Sequence, residues 1–217
     1  MQNIIYILSI YFVYDMFFTL LGLHGRSIVK KIAVAVIHGM GAQGAKVSDD
    51  SALPTFSKHL RKRVRAKLGA SMFDQSIAWR EIFWADILQD RQARYLSAIR
   101  RRTRYDNLRQ FVVQNLGDAA AYQKTADPAD NTYEKIHKRV TKVIRELDQD
   151  TVDGAPLVVL AHSLGGHIKS NHIYDTGKSG ATGNNFRNLK TLAALVTFGC
   201  NIPLFTFSYA PERLFPI

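Results

Sequence analysis

The chain contains a single cysteine, Cys200, so no disulfide can form within it. One free thiol is compatible with a reducing compartment, where disulfides are rare. Zinc-type spacing is also missing, because His162, His167 and His172 follow one another at five-residue steps. On a helix such steps turn by about 140°, which takes the imidazoles off a common face. The sequence therefore predicts neither a disulfide scaffold nor a metal centre, and no cofactor.

A phosphate-binding loop is absent as well, although Gly177-Lys178-Ser179 resembles the end of one. Such a loop requires a further glycine at position 172, where this chain has His172. It would also follow a strand and open a helix, whereas this tripeptide follows a predicted helix. Gly177 is therefore predicted to end that helix.

Acidic residues are scarce relative to basic ones. The 217 residues include 29 lysines and arginines against 18 aspartates and glutamates, which gives a net charge of +11. Such an excess favours anionic surfaces, either membrane lipid or nucleic acid, and a merely solvated basic face is the alternative. We expect an anionic membrane surface as the partner, and we do not expect nucleic acid.

The longest apolar run covers residues 3–23, which is long enough to span a bilayer. Asp15 interrupts it at a cost of about 2.5–3.5 kcal/mol, which the surrounding apolar residues offset at about 0.3–0.6 kcal/mol each. Three lysines and arginines follow the run and none precedes it, so the next domain would be cytoplasmic. Residues 1–31 are thus predicted as a hydrophobic segment and basic linker, a candidate membrane anchor. Packing of the segment on the domain, or a true start at Met16, are alternatives.

Residues 156–167 read PLVVLAHSLGGH. The apolar, β-branched beginning predicts a buried strand, and residues 168–175 can continue as a helix. A strand, a sharp turn at Ser163 and a helix form the context of a nucleophile elbow, whose strained backbone exposes the serine hydroxyl above the sheet. Strand and helix pass closely in such an elbow, so the flanking residues must be small. These residues are Ala161, Gly165 and Gly166.

Two further motifs accompany the elbow. Residues 32–37 predict another buried strand, which runs into His38-Gly39-Met40-Gly41, and residues 195–203 predict a strand followed by a turn. Together, in this order, the three motifs resemble the α/β-hydrolase superfamily, in particular compact lipases and esterases with an alanine-type AHSLGG elbow. The resemblance covers roughly residues 32–205. It implies an α/β fold with a mostly parallel sheet flanked by helices.

The resemblance also implies a set of site residues. Ser163 would be the nucleophile, and the backbone amides of Met40 and Leu164 would form the oxyanion hole. The expected function is a serine hydrolase that cleaves a carboxylic ester, either a small-molecule or a lipid-like one. The supporting residues would be His38, Gly39, His162 and Gly165.

The base and the acid of a triad are harder to place. In this superfamily the chain order is serine, acid, histidine. After Ser163 the chain has only His167 and His172 as imidazoles, and both belong to the predicted elbow helix or its continuation. We therefore expect the hydrolase domain, residues 32–217, to be incomplete at its C-terminus, without the last strands, the triad acid and the triad histidine.

That expectation has a functional consequence: chain 1–217 should hydrolyse esters barely or not at all. One alternative is a non-hydrolytic acyl-transfer or binding protein, or a pseudoenzyme, on the same fold. A second alternative is a basic membrane-surface or nucleic-acid-binding module with a vestigial elbow. Substrate choice in such folds depends on surface loops, and residues at about 85–130 form a candidate helical lid.

Two helices show clear patterns. One opens at Asn131 as a cap with Glu134 reaching back, and its apolar stripe is Tyr133, Ile136, Val140, Val143, Ile144 and Leu147. An earlier helix has an apolar face made of Leu53, Phe56, Leu60, Val64 and Leu68. Its opposite face is basic and carries Lys58, Arg61, Lys62, Arg63, Arg65 and Lys67.

Overall fold

The computed structural model describes residues 29–40, 51–99, 117–124, 131–180, 183–200 and 202. The strands are β1 (Ile32–Ile37), β2 (Ile77–Ile82), β3 (Leu157–His162) and β4 (Leu192–Phe198). The helices are α1 (Lys58–Leu68), α2 (Ala70–Ser76), α3 (Asp86–Ile99), α4 (Thr132–Asp150) and α5 (Leu164–Lys178). The predicted α/β class is confirmed.

Two predicted segments fall wholly or partly outside the described ranges. The candidate membrane anchor at residues 3–23 lies outside them. Of the candidate lid at about 85–130, the structure describes helix α3 and residues 117–124, where 117–121 form a helical turn. The role of each segment stays a prediction.

The four strands form one parallel sheet in the order β2-β1-β3-β4. From β1 the chain moves outward to β2, then returns across β1 to add β3 and β4 on the other side. The strand order therefore reverses between β1 and β3, whose carboxyl ends pair through Ile37 and Ala161. Open α/β sheets bind their ligands in the crevice outside this reversal point.

The sheet is covered on both faces, and β1 shows this most clearly. Ala33, Ala35 and Ile37 lie in the core shared with α4 and α5, while Val34 and Val36 belong to a second core formed with α1 and α2. Side chains alternate between the faces of a strand, so burial on both faces requires a continuous apolar run. This requirement is why β1 and β3 could be recognised in the sequence.

Helix α4 packs across the sheet through the predicted stripe, since all six of its apolar residues are buried. Burying a side chain of this size contributes about 1.5–3 kcal/mol. The predicted cap is wrong in its chemistry. Asn131 occupies the N-cap position but makes no side-chain cap hydrogen bond, and its Oδ1 is buried without a partner among the described residues.

A buried carboxylate fixes the start of α1. Glu81 on β2 is 4% exposed, and its Oε2 accepts hydrogen bonds from the Thr55 backbone N–H (2.9 Å) and hydroxyl (2.6 Å). Its Oε1 accepts from the Ser57 N–H at 2.6 Å, and the Ser57 hydroxyl accepts from the Trp79 indole at 2.9 Å. These contacts hold residues 55–57, which lead into α1, against the sheet.

We expect Glu81→Ala to lower the free energy of unfolding by about 2–4 kcal/mol, because it leaves buried N–H donors without an acceptor. Urea denaturation measures the effect. Glu134→Ala, which removes an exposed carboxylate from the first turn of α4, is the control and should change stability by less than about 0.5 kcal/mol. Equal midpoints for the two variants would contradict the anchoring role of Glu81.

Candidate active site

Ser163 lies at the junction of β3 and α5, as the sequence predicts. Its φ of 51° and ψ of −124° place it in a region that residues with side chains rarely adopt. Such backbone strain costs about 1–3 kcal/mol and persists only where the surroundings enforce it. Here the Ser163 N–H donates to the Phe198 carbonyl (3.0 Å) at the end of β4, and the Ser163 carbonyl accepts from the Gly166 N–H (3.0 Å).

The two glycines after Ser163, Gly165 and Gly166, both lie close to atoms of neighbouring segments. A Cβ on Gly165 would lie 2.5 Å from the His38 carbonyl oxygen and 2.9 Å from that of Ile37. A Cβ on Gly166 would lie 2.7 Å from the Cys200 Sγ. The first turn of α5 therefore rests directly on the end of β1. Gly165 must be small because the backbone at the end of β1 passes it, whereas the close neighbour of Gly166 is the Cys200 side chain.

The loop after β1 meets the elbow at Gly39. A Cβ at this position would lie 2.6 Å from the Ser163 Cβ and 3.1 Å from the His162 Nδ1. Only a glycine lets the loop pass so close to the serine. The structure thus brings together the two sequence motifs that lie at the carboxyl ends of β1 and β3, where the strand order reverses.

The two predicted oxyanion donors are positioned around this contact. Leu164 is the first residue of α5, and N–H groups in the first turn of a helix have no intrahelical acceptor. Met40 follows Gly39 directly and is half-buried. Within the described part of the chain, neither amide donates a hydrogen bond to another backbone carbonyl. The helix N-terminus also carries a partial positive charge that favours an anion.

His38 is a fixed structural part of the site. It is 3% exposed and stacks on the Trp84 indole at 5.0 Å between ring centroids. Its Nε2 accepts from the Trp84 backbone N–H (3.2 Å), so its Nδ1 carries the hydrogen and donates to the Gly39 carbonyl (2.7 Å). Burial lowers the pKa of His38 to about 4, which keeps the ring neutral. With both nitrogens engaged, His38 holds the Gly39 loop.

The depressed pKa of His38 predicts a loss of stability in acid. In the unfolded chain the ring takes up a proton near its ordinary pKa of 6.5, whereas in the folded protein it does so only near 4. Its contribution of about 3 kcal/mol is therefore complete above about pH 6.5 and is lost as the pH falls toward 4. Burial also lowers the pKa values of His137 and His172.

We expect urea denaturation to show unfolding free energy falling steadily from about pH 7 to about pH 4. His38→Phe keeps an aromatic ring but cannot be protonated, so this variant should be less stable at neutral pH and less sensitive to acid. If the unfolding free energy of His38→Phe falls with pH as steeply as that of the wild type, the assignment of a buried, neutral imidazole is contradicted.

A small apolar pocket opens beside the elbow. Its volume is about 190 Å³, and it lies between the start of α1 and the carboxyl ends of β1 and β4. The exposed ring of His162 forms part of its wall and stacks on Phe198 at 5.3 Å. Its lining consists of Val36, Ile37, His38, Phe56, Ser57, Leu60, His162 and Phe198. The sequence places Phe56 and Leu60 on the apolar face of a helix but gives no sign that they border a cavity.

The two histidines that follow Ser163, and Asp175, the first acidic residue after it, lie elsewhere, in the seam between α5 and α4. His167, His172 and Asp175 extend along α5 away from the elbow. Their ring or hydrogen-bond partners in that seam are Tyr122 for His167 (5.6 Å), Thr141 for His172 (3.1 Å) and Tyr133 for Asp175 (2.9 Å). The structure therefore does not bring these candidates for the base and the acid to the serine.

Within the described ranges, no cluster of three or more histidine, cysteine or acidic side chains could hold a metal ion. In the same part of the chain, no helix combines the length and the apolar character needed to cross a bilayer. Comparison of the chain with protein-family models, with curated proteins and with solved structures finds no match.

Proposed function

We propose that this protein is a serine hydrolase that cleaves a carboxylic ester, with Ser163 as its nucleophile. The observation that carries the proposal is the contact between Gly39 and the strained Ser163 elbow at the reversal point of the sheet. A serine in this conformation presents its hydroxyl to a crevice where open α/β sheets bind ligands. The resemblance of the three motifs to the α/β-hydrolase superfamily supports the same assignment.

The proposed chemistry proceeds in two steps. The Ser163 Oγ attacks the ester carbonyl carbon, and the resulting oxyanion accepts hydrogen bonds from the Met40 and Leu164 amides. The tetrahedral intermediate collapses, the alcohol leaves with a proton, and an acyl-serine remains. Water then attacks this acyl group, releasing the carboxylic acid and the serine hydroxyl. Loss of one oxyanion donor typically costs about a hundredfold to a thousandfold in rate.

The acyl group has a suitable place beside the serine. The pocket next to His162 is walled mainly by aliphatic and aromatic side chains, among them Phe56, Leu60 and Phe198. Apolar walls favour a hydrocarbon acyl chain over a charged or strongly hydrated one. This lining supports an ester with an apolar acyl group, which agrees with the expected lipid-like substrate.

The serine also requires a base that accepts its proton. His38 is locked in the neutral form, and His167 and His172 lie in the seam with α4. His162 is the imidazole that adjoins the elbow, because its Nδ1 and the Ser163 Cβ both approach Gly39 closely. Because His38, His167 and His172 are not placed to act as the base, a second candidate function is an acyl-binding protein or pseudoenzyme that keeps the elbow without turnover.

Added imidazole distinguishes these two functions. A small base in solution can replace a missing general base, so imidazole should increase p-nitrophenyl ester hydrolysis by chain 1–217 in proportion to its concentration. We expect the rate with Ser163→Ala not to exceed that of the same imidazole solution without protein. His162→Gln shows whether that ring contributes to the rate without imidazole. Equal rescue of wild type and Ser163→Ala would refute the proposed hydrolase and leave the binding function.

A further inference from the structure

Helix α1 presents an unusually basic surface. Six of its 11 residues are lysine or arginine, and none is acidic. Two of the six are used within the fold, since Arg65 pairs with Asp74 and Arg61 lies over the Phe73 ring at 5.1 Å. The other four are exposed and form no ion pair with any described acidic residue. They are Lys58, Lys62, Arg63 and Lys67.

Apolar side chains protrude beside these cations. Leu68 at the end of α1 is 45% exposed, Met72 in α2 is 60% exposed, and Leu53 ahead of α1 is 57% exposed. A single exposed apolar residue is common on soluble proteins. Protruding apolar side chains that flank a helix with unpaired cations are typical of segments that bind the surface of an anionic membrane.

The position of α1 links this surface to the candidate active site. Phe56, Ser57 and Leu60, at and just before the first turn of α1, line the pocket that also contacts His162. A helix of 11 residues extends only about 16 Å from that point. A bilayer lying on the exposed face of α1 would therefore lie close to the mouth of the pocket.

We propose that the exposed face of α1, defined by Lys58, Lys62, Arg63 and Lys67, docks on an anionic lipid bilayer. Phosphate groups of nucleic acid would also attract these cations. Nucleic acid, however, would leave Leu68 and Met72 in water, whereas the acyl region of a bilayer buries them. Docking requires no catalysis, so this inference does not depend on the proposed hydrolase activity.

The test is co-sedimentation of the full chain with vesicles of phosphatidylcholine alone and of phosphatidylcholine mixed with phosphatidylserine. The measured quantity is the increase in partitioning that phosphatidylserine causes, so any binding through the apolar N-terminal segment cancels. Each basic residue near an anionic surface contributes about a fivefold increase in partitioning. The fourfold glutamine variant of the α1 face should lose about several hundredfold, and added salt should weaken the wild type.

A matched variant replaces four exposed lysines elsewhere with glutamine and has a similar net charge. Its positions are Lys135, Lys138, Lys178 and Lys190. It should retain most of the phosphatidylserine-dependent binding, and circular dichroism should show that both variants fold. If the α1 variant does not fold, Lys58→Gln and Lys62→Gln alone should each lose about fivefold.

Three results would overturn the proposal. The first is a folded α1 variant that partitions as strongly as the wild type. The second is a matched variant that loses as much partitioning as the α1 variant. The third is the absence of any phosphatidylserine-dependent increase in the wild type. If the protein does not bind vesicles but binds a DNA duplex, and the α1 substitutions abolish that binding, the face is assigned to nucleic acid instead.

Discussion

Ser163→Ala is expected to reduce ester hydrolysis by the protein by at least about a thousandfold, because alanine cannot form the acyl intermediate. The same loss is expected for the imidazole-dependent part of the rate. The melting temperature should change little, since the half-buried serine hydroxyl contributes little packing and the backbone strain remains in alanine. Rates are measured with p-nitrophenyl esters.

Ser170→Ala is the matched control, because Ser170 lies on the same helix two turns beyond the elbow. It should retain at least about half of the wild-type rate, since it touches neither the Gly39 loop nor the pocket beside His162. Retained activity in Ser163→Ala, or an equal loss in both variants, would remove Ser163 from the mechanism.

Gly165→Val is expected to prevent folding or to destabilise the protein by more than about 3 kcal/mol. The added Cβ alone would lie 2.5 Å from the His38 carbonyl oxygen, a backbone atom that cannot move without displacing the end of β1. A branched side chain adds further clashes. The measurements are the soluble yield and the midpoint of thermal unfolding.

Gly177→Val provides the control on the same helix, because a Cβ at Gly177 has no heavy atom within 4 Å. Its stability should stay within about 1 kcal/mol of the wild type, since valine is at least as good a helix former as glycine. A soluble Gly165→Val protein that melts like the Gly177→Val control would show that α5 does not rest on the end of β1.

Those features of the fold that depend on local pattern could be predicted from the sequence. Strand β1 is buried on both faces, which requires an uninterrupted apolar run, and α4 needs one apolar stripe to lie on the sheet. The elbow could also be predicted from the sequence, because the close approach of Gly165 and Gly166 to neighbouring atoms limits these positions to the smallest residues. Such steric demands appear directly as residue types.

Features that depend on contacts between distant segments could not be predicted. The sequence predicts His38 as a supporting residue. The hydrogen bonds that hold its ring and its carbonyl come from Trp84, which belongs to the segment after β2. The apolar pattern of Phe56 and Leu60 is the same whether they fill a core or border a pocket. The predicted end of α5 at Gly177 is wrong, because the helix continues through Lys178 and Gly180 adopts the left-handed conformation.

The most direct test of the central claim is covalent labelling with a fluorophosphonate, followed by mass spectrometry of the peptide that contains residues 157–168. The reagent phosphonylates a serine only where its hydroxyl is activated beside an oxyanion hole. The proposed hydrolase should give a single adduct on Ser163, and Ser163→Ala should give none. An adduct on another residue, or label that persists unchanged in Ser163→Ala, would contradict the assignment of this elbow as the active site.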